Sequence, residues 1–250
     1  MWLQRRWFVK DLRQTQLLLC QTEAATKRIQ DMYGYEGKTA LCPNAVSRFT
    51  LEENEVPAVY DLVSPYQDCI KLFYLTKYYP HKNLEILIEL FDRYRDELSS
   101  VVLFLTISSG HAGAKRLLNS IDRKGLNDRI VNIGPLPQES LGAYFRSMDA
   151  LIMPTLLESF SGSYLEAMHF GLPILTSDLD FAHEVCGEAA IYFNPWKVET
   201  ILDAILELKN NPEQARKLIS AGKTQLESKF RSWDDIAESL MENLREIAIA

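Results

Sequence analysis

From about residue 70 onward, short apolar runs rich in β-branched and aromatic residues alternate with longer segments whose apolar positions recur at helical spacing. The runs are nearly all apolar, as expected for strands that are buried on both faces of a parallel sheet. The predicted strands are KLFYLT (71–76), VVLFLTI (101–107), RIVNIG (129–134), ALIMP (150–154), LPILTS (172–177) and AIYF (190–193). The pattern predicts an α/β domain with a doubly wound parallel sheet.

The predicted helices lie between these strands. One apolar helical face is formed by Leu84, Leu87, Ile88, Phe91 and Tyr94. Similar spacing occurs over 114–123, 138–147, 163–170 and 197–208. Three helical segments without intervening strands follow residue 195, and Ser232 is the expected N-cap of the last. In such a fold, ligands bind beyond the carboxyl ends of the strands.

The first 65 residues predict a smaller unit that is too short to close a core of its own. It contains an opening helix, the apolar run LLLC (17–20), a helix over about 22–33 and a strand-like TALCP (39–43). The polar, proline-bearing stretch 46–65 has weak periodicity and is interpreted as a linker.

Composition narrows the function classes. Of the 250 residues, 47% are hydrophobic, enough for a real core, and the net charge of −7 argues against a protein that coats nucleic acid. The four cysteines form no CxxC pair, which favours reduced, buried thiols. No apolar run approaches the roughly 20 residues that span a bilayer, and the opening lacks signal-peptide features, so we expect a cytoplasmic protein.

The opening segment MWLQRRWFVKDLRQ mixes aromatic and basic residues. Such a mixture suits peripheral contact with a membrane surface, but it equally suits a short basic helix that packs one face on a domain. The residues concerned are Trp2, Arg5, Arg6, Trp7, Phe8 and Lys10. The sequence leaves both interpretations open.

The densest candidate chemistry lies in PTLLESFSGSYLEAMHFGLPI (154–174). A strand ends at Pro154, a Ser/Gly loop follows, and a helix is expected to begin near Gly162, so the backbone N–H groups of Ser161, Gly162 and Ser163 would form a phosphate site. Glu158 and Glu166 would face the same crevice, and a carboxylate suits the paired hydroxyls of a sugar or ribose. Either glutamate alone is also explained by the helix dipole.

Other patterns are weaker. Glu166 and His169 form a single ExxH, which without a second copy is usually chance. The remaining histidines, His81, His111 and His183, show no metal-ligand spacing. GxSxG, P-loop and GxGxxG motifs are absent from the sequence, so serine hydrolysis, nucleoside triphosphate hydrolysis and dinucleotide redox chemistry lack local support.

The two glutamates, separated by seven residues and followed by EAMHFGLPILTSD and HEVCGEAAIYFNP, resemble the donor-site signature of glycosyltransferase family 4. YLTKYYPHKN and NIGPLPQESLGAYFRSMDALIMPT precede them in the family's order, and the resemblance covers roughly residues 67–196. These enzymes, the group 1 glycosyl transferases, are retaining and have the GT-B fold. The resemblance therefore implies a Rossmann-like donor-binding domain with a C-terminal helical extension.

The resemblance also implies roles for individual residues. Lys77 and Lys82 would hold the diphosphate, Glu166 would bind the nucleotide ribose, and Glu158 would approach the donor sugar. The backbone of Phe160, Ser161, Gly162 and Ser163 would contact the sugar and phosphates, and Ile133, Gly134 and Leu136 would lie against the base. The family often has Arg at the position of Lys77 and Gly at that of Ser161. Glu184 either joins the pocket or caps a surface helix.

Asp178 and Asp180 imitate the DxD motif that binds a divalent metal in GT-A enzymes. We interpret them instead as a turn in which Asp180 caps the next helix. The GT-B resemblance implies that lysines and a helix end replace the metal, so no metal or other cofactor is expected.

The implied domain plan is a remnant of an acceptor-type domain (1–45), a linker (46–66), the donor-binding domain (67–228) and a crossover helix (229–250). In GT-B folds that helix returns to the N-terminal domain. Most of that domain is missing here, so we expect an exposed hydrophobic patch, covered by a protein partner or by self-association.

The leading functional prediction is a retaining hexosyltransferase that uses a UDP-, GDP- or ADP-linked sugar, with Glu158, Lys77 and Lys82 as the catalytic candidates. One alternative is a non-catalytic nucleotide-sugar-binding module, or a subunit completed by a separate acceptor-binding chain. Another is a sugar-nucleotide epimerase. The sequence leaves open whether the chain is active alone.

Overall fold

The structure, a computed structural model, describes residues 2–48, 50–51 and 56–249. Its amino-terminal unit comprises α1 (Trp2–Leu12), β1 (Leu17–Cys20), α2 (Glu23–Tyr33) and β2 (Lys38–Leu41). The two strands pair in parallel, with Leu17 opposite Lys38. Thr22 caps α2 by accepting a hydrogen bond from the Ala25 amide. The unit therefore has the elements that the sequence predicts.

The described part of the predicted linker is not wholly irregular. A short helix, α3 (Pro57–Val63), continues into a 3-10 turn over Ser64–Tyr66. Pro57 occupies the first helical turn, where its fixed φ is favourable and its missing N–H costs no hydrogen bond. The predicted linker therefore contains a short helical segment that its weak periodicity did not indicate. Positions 49 and 52–55 lie outside the described residues.

The larger unit is built on a six-stranded parallel sheet. Its strands are β3 (Ile70–Tyr74), β4 (Val101–Leu105), β5 (Ile130–Asn132), β6 (Ala150–Met153), β7 (Ile174–Ser177) and β8 (Ala190–Phe193). The order across the sheet is β5-β4-β3-β6-β7-β8. All six predicted strands are confirmed, although most ladders are shorter than the apolar runs because the flanking residues already belong to loops.

Helices flank this sheet, as expected for a doubly wound fold. They are α4 (Leu84–Arg93), α5 (Ala112–Arg123), α6 (Leu141–Arg146), α7 (Gly162–His169), α8 (Asp180–Cys186), α9 (Val198–Asn210) and α10 (Pro212–Lys229), and α11 (Trp233–Ile249) follows them as the carboxy-terminal helix. The predicted helix over 138–147 divides into a 3-10 turn, Gln138–Ser140, and the short α6. Tyr94 lies just beyond the end of α4, as its cap residue.

The topology changes direction between β3 and β6. From β3 the chain adds β4 and β5 on one side, and from β6 it adds β7 and β8 on the other. The connections that follow β3 and β6 therefore diverge, which opens a crevice at the carboxyl ends of these central strands.

The carboxy-terminal helix α11 is well capped. Ser232 Oγ accepts from the Asp235 amide at 3.1 Å, and Asp235 Oδ2 accepts from the Ser232 amide at 3.0 Å. The predicted N-cap is confirmed. Lys38 Nζ lies 2.7 Å from Glu246 Oε2, so α11 returns to the amino-terminal unit beside β2. No helix within the described ranges is long and apolar enough to cross a membrane.

Candidate functional site

Lys82 and Glu158 meet at the crevice between β3 and β6. Lys82 Nζ forms an ion pair with Glu158 Oε1, and the two side chains are only 17% and 12% exposed. The Tyr74 hydroxyl donates to the Lys82 carbonyl oxygen at 2.9 Å. Burial, reinforced by the Glu158 charge, raises the pKa of Tyr74, which keeps this donor protonated. The crevice thus holds a mostly buried ion pair in a fixed backbone frame.

Asn83 joins the two loops that carry this pair. It adopts a left-handed conformation with φ of 54°, and its side-chain amide donates to the carbonyl oxygens of Pro154 (3.1 Å) and Pro195 (2.7 Å). The Leu156 amide also donates to the His81 carbonyl at 2.7 Å. These bonds hold the loop after β3 against the loops after β6 and β8.

A cavity of about 620 Å³ opens beside the ion pair, at the carboxyl ends of β3, β4 and β5. Three of the predicted site residues, Lys77, Lys82 and Leu136, share its wall. Lys77 is exposed there, and no ion pair joins it to any other residue of the described chain. The remaining wall is Leu75, Thr76, Tyr78, Tyr79, Thr106, Ser108, Gly110, His111 and Pro135.

The sequence interpretation did not identify the β4–α5 loop as part of the site. This loop contributes Ser108, Gly110 and His111, and His111 caps α5 by accepting from the Gly113 amide at 3.1 Å. The signal was present in TISSGHAG, a small-residue loop between an apolar strand and a helix, which is the same pattern that singled out residues 159–163. A second helix amino terminus therefore faces the cavity region.

The amino terminus of α7 has its expected position after β6. Ser161 is the cap residue and makes no side-chain capping bond, and a Cβ placed on Gly162 would meet nothing within 4 Å. The first amides of α7, including that of Ser163, begin beside this open space. The Phe160 ring packs edge-on against Phe230 in the core, 5.7 Å between centroids, so only its backbone is available to a ligand.

Glu166 is buried, with 8% exposure. Thr50 Oγ1 donates to Glu166 Oε1 at 3.2 Å, and no other residue of the described chain donates to this carboxylate. Burial raises the pKa of Glu166, and the bond from Thr50 opposes that rise. A carboxylate with one protein donor retains capacity for further hydroxyl donors.

The segment expected to face the base begins after β5. Gly134 turns the chain with φ of +76°, a conformation that favours glycine. Ile133 and Leu136 both pack against the core. Leu136 also lines the cavity, whereas Ile133 and Gly134 do not belong to its wall. The structure therefore places Lys77, Lys82, Glu158 and Leu136 together and leaves Glu166 and residues 160–163 outside the cavity wall.

The amino-terminal unit contacts the loop that carries Glu158. Arg28 Nη1 donates to the Glu158 carbonyl at 3.3 Å, and Thr22 Oγ1 donates to that of Ser159 at 2.9 Å. Glu184 accepts from the amides of Glu23 (2.6 Å) and Ala24 (2.8 Å). Of its two interpretations, capping is observed, but the capped helix is α2 of the neighbouring unit.

The Asp178–Asp180 pair is engaged elsewhere. Asp178 Oδ1 lies 2.6 Å from His183 Nε2, and Asp180 pairs with Arg28. The expectation that Asp180 is the cap of α8 is wrong: Leu179 holds the cap position, and Asp180, the first helical residue, accepts from the Phe181 amide at 2.8 Å. In the parts that the structure describes, His, Cys, Asp and Glu form no group of three or more able to hold a metal ion.

Known proteins with similar sequence are glycosyltransferases. The chain is 27% identical over 161 residues to the MMP alpha-(1->4)-mannosyltransferase of Mycolicibacterium hassiacum, covering 63% of this chain and 38% of the relative. It is 26% identical over 149 residues to the 2-deoxystreptamine glucosyltransferase of Streptomyces kanamyceticus, covering 59% and 37%. The match thus extends over less than two fifths of each of these relatives.

The fold has solved counterparts. HepE of Anabaena, crystallised with UDP and glucose, superimposes with a TM-score of 0.78 at 17% identity, covering 95% of this chain and 67% of that one. The family model described as Glycosyl transferases group 1 matches residues 64–225. The parallel sheet with its flanking and carboxy-terminal helices is that of a Rossmann-like GT-B carboxy-terminal domain. The chain therefore belongs to the group 1 glycosyl transferases.

Proposed function

We propose that this chain is the donor-binding half of a retaining hexosyltransferase that uses a nucleotide-diphospho-sugar. The observation that carries the proposal is the mostly buried Lys82–Glu158 pair at the topological switch point, beside a cavity of about 620 Å³ that Lys77 also lines. Such a crevice is where doubly wound folds bind ligands, and two lysines supply the charge that a diphosphate needs.

The transition state places growing negative charge on the leaving diphosphate. Lys77, Lys82 and the amides at the start of α7 are the groups that would stabilise this charge. Lys82, held by Glu158, and the helix amides have set positions that avoid reorganisation during the reaction. Lys82 would then be shared between the diphosphate and Glu158. The Glu158 carboxylate, anchored by Lys82 and by Arg28 at its carbonyl, would accept hydroxyl hydrogen bonds from the donor sugar.

Recognition of the nucleotide would fall to two further elements. Glu166 would accept hydrogen bonds from the ribose, and the segment from Ile133 to Leu136 would lie against the base. HepE, whose structure was solved with UDP and glucose, supports a nucleotide sugar as the ligand. UDP-, GDP- and ADP-linked sugars are the candidates.

We further propose that the cations and helix termini make a metal cofactor unnecessary. We also propose that the protein acts in the cytoplasm.

We propose that a protein partner or a second copy of this chain docks on exposed apolar surface of the molecule. Large apolar side chains are exposed on the amino-terminal unit and on α11: Trp7, Phe8, Leu19, Met32, Leu41, Met241 and Leu244. The ion pair between Lys38 and Glu246 places β2 beside α11, and the exposed apolar side chains of these elements are the candidate docking surface. Membrane contact through Trp7 and Phe8 is the alternative use of part of the exposed apolar surface.

A non-catalytic nucleotide-sugar-binding module is the second candidate. The same crevice supports it, because the Lys82–Glu158 pair and the cavity that Lys77 lines suit nucleotide-sugar binding whether or not transfer follows. Measurements of nucleotide-sugar binding and of donor turnover distinguish the glycosyltransferase from the binding module. Donor hydrolysis or transfer by the purified chain supports the enzyme, whereas binding without turnover supports the module, and conversion of the donor without an acceptor would indicate an epimerase.

The decisive experiment is calorimetric titration of the purified chain with UDP, GDP, ADP and their sugars. Lys82→Ala and Glu166→Ala are the site variants, and Lys217→Ala is the matched control, because Lys217 pairs with Glu213 on the exposed surface of α10. We expect one nucleotide class to bind, with binding weakened by both site variants and unchanged in the control. Absence of binding by every nucleotide would refute the donor-site proposal.

A further inference from the structure

Thr50 is distant from the donor site in sequence but contacts one of its central residues. It belongs to the predicted linker, 116 positions before Glu166, and its hydroxyl donates to Glu166 Oε1 at 3.2 Å. Thr50 is fully buried, with 0% exposure. A polar residue in a connecting segment is normally solvated, so complete burial against a carboxylate requires a structural or functional reason.

Packing fixes the position of this hydroxyl. The Thr50 amide donates to the Ser47 carbonyl at 3.0 Å, and the Ser47 hydroxyl accepts from Gln138 Nε2 at 2.6 Å. A Cβ placed on Gly142 would come within 2.5 Å of the Thr50 carbonyl oxygen, so the linker passes α6 at a distance that only glycine permits. The contact is thus set from two sides, by the linker turn and by α6.

This arrangement makes the two oxygens of the Glu166 carboxylate different. Oε1 is occupied by the Thr50 hydroxyl, while Oε2 receives no hydrogen bond from the described residues. A buried carboxylate with a single donor has unmet hydrogen-bonding capacity, and the adjacent hydroxyls of a ribose are suitable donors. A hydroxyl that fixes Oε1 also fixes the direction of Oε2.

We propose that Thr50 is a positioning residue that orients Glu166 toward the ribose, so that the site distinguishes a ribonucleotide from its 2′-deoxy analogue. The inference rests on the proposed donor site. Without the Thr50 hydroxyl, Glu166 would turn or become protonated, and the energetic distinction between the two sugars would shrink. Affinity for a ligand that lacks the 2′-hydroxyl would change little.

The test is calorimetric titration of the full chain with UDP and 2′-deoxy-UDP, and in parallel with the corresponding GDP and ADP pairs. In the wild type we expect the ribonucleotide of the binding class to be preferred about tenfold or more, as for a lost hydrogen bond to a charged group. Thr50→Val, which keeps the side-chain volume, is expected to reduce the preference to about twofold. Thr50→Ser, which keeps the hydroxyl, is expected to restore it.

Gly142→Ala is the second variant, because it displaces the Thr50 backbone while keeping its hydroxyl. It is expected to lower the ribose preference as well. If Thr50→Val does not fold, this variant tests the role of Thr50 in its place. A preference unchanged in both folded variants, or equal weakening of both ligands, would overturn the role of Thr50 while nucleotide binding stands. A wild type that binds no nucleotide would refute the proposed function itself.

Discussion

The Lys82 ammonium and the Glu158 carboxylate are 76 positions apart in the chain and form an ion pair that is largely withdrawn from solvent. Each group compensates the other's charge, so the loss of either leaves a poorly solvated ion. The pair also places one positive and one negative group side by side, which is the arrangement that the proposed binding of a diphosphate and a sugar hydroxyl would use.

Removal of one member of this pair should destabilise the fold. We expect Glu158→Ala to lower the free energy of unfolding by about 2 kcal/mol, because Lys82 loses its charged partner. Urea denaturation followed by circular dichroism measures the change. Glu213→Ala, which breaks an exposed pair with Lys217, should cost at most about 0.5 kcal/mol. Equal losses in the two variants would show that the Lys82–Glu158 pair is not specially protected from solvent.

Lys77 should contribute to ligand binding without contributing to stability. It lies exposed in the cavity wall and has no ionic partner among the described residues. We expect Lys77→Ala to weaken nucleoside diphosphate binding about tenfold, as for a lost charge-assisted hydrogen bond, and to leave the melting temperature unchanged. Lys115→Ala, in the exposed face of α5, is the control. Equal affinity in both variants would remove Lys77 from the diphosphate site.

Glu166 should give the protein a pH-dependent stability. Because burial raises its pKa above the ordinary 4.5, the folded protein binds this proton more tightly than the unfolded chain. Its stability is therefore greatest below the unfolded pKa and falls as the pH rises through the folded pKa. Glu166→Gln lacks this loss, so its stability relative to the wild type should increase with pH. Denaturation curves between pH 4 and 8 measure the free energy of unfolding of both proteins. A difference between them that does not change with pH would contradict a raised pKa of Glu166.

The Ser232 cap should stabilise α11 measurably. We expect Ser232→Ala to lower the free energy of unfolding by about 1 kcal/mol, because the Asp235 amide loses its acceptor. Ser228→Ala is the matched control, since the Ser228 hydroxyl donates only to the Thr224 carbonyl within α10. Hydrogen exchange localises the effect: faster exchange confined to the first turn of α11 is expected, and unchanged exchange there would contradict it.

Donor turnover should be insensitive to chelation. If Lys77, Lys82 and the start of α7 supply the stabilisation of the diphosphate, EDTA should leave the rate of donor hydrolysis or transfer unchanged within about twofold. The measurement is release of nucleoside diphosphate with and without chelator, followed by addition of Mg²⁺ or Mn²⁺. A rate that collapses with EDTA and returns with metal would assign part of this role to a cation.

The sequence by itself determined the elements of the larger domain. Runs such as VVLFLTI predict buried strands because a strand buried on both faces has apolar side chains at consecutive positions. The apolar positions of α4 from Leu84 to Phe91 have helical spacing, which predicts a helix with one face against a core. The paired glutamates lie within one short segment, so the sequence also indicated them as candidates, whereas the roles of Lys77 and Lys82 were implied by the family resemblance. Ser232 was also readable because capping is a local interaction.

Only the tertiary structure decided which of these groups meet. Strand order brings Lys82 to Glu158, and the fold carries Thr50 from a weakly periodic linker to Glu166. Arg28 draws Asp180 into an interdomain bond that the local turn pattern does not contain. Contacts of this kind join residues more than 70 positions apart and depend on how the elements pack. Propensity and periodicity are properties of neighbouring residues, so they do not predict such contacts.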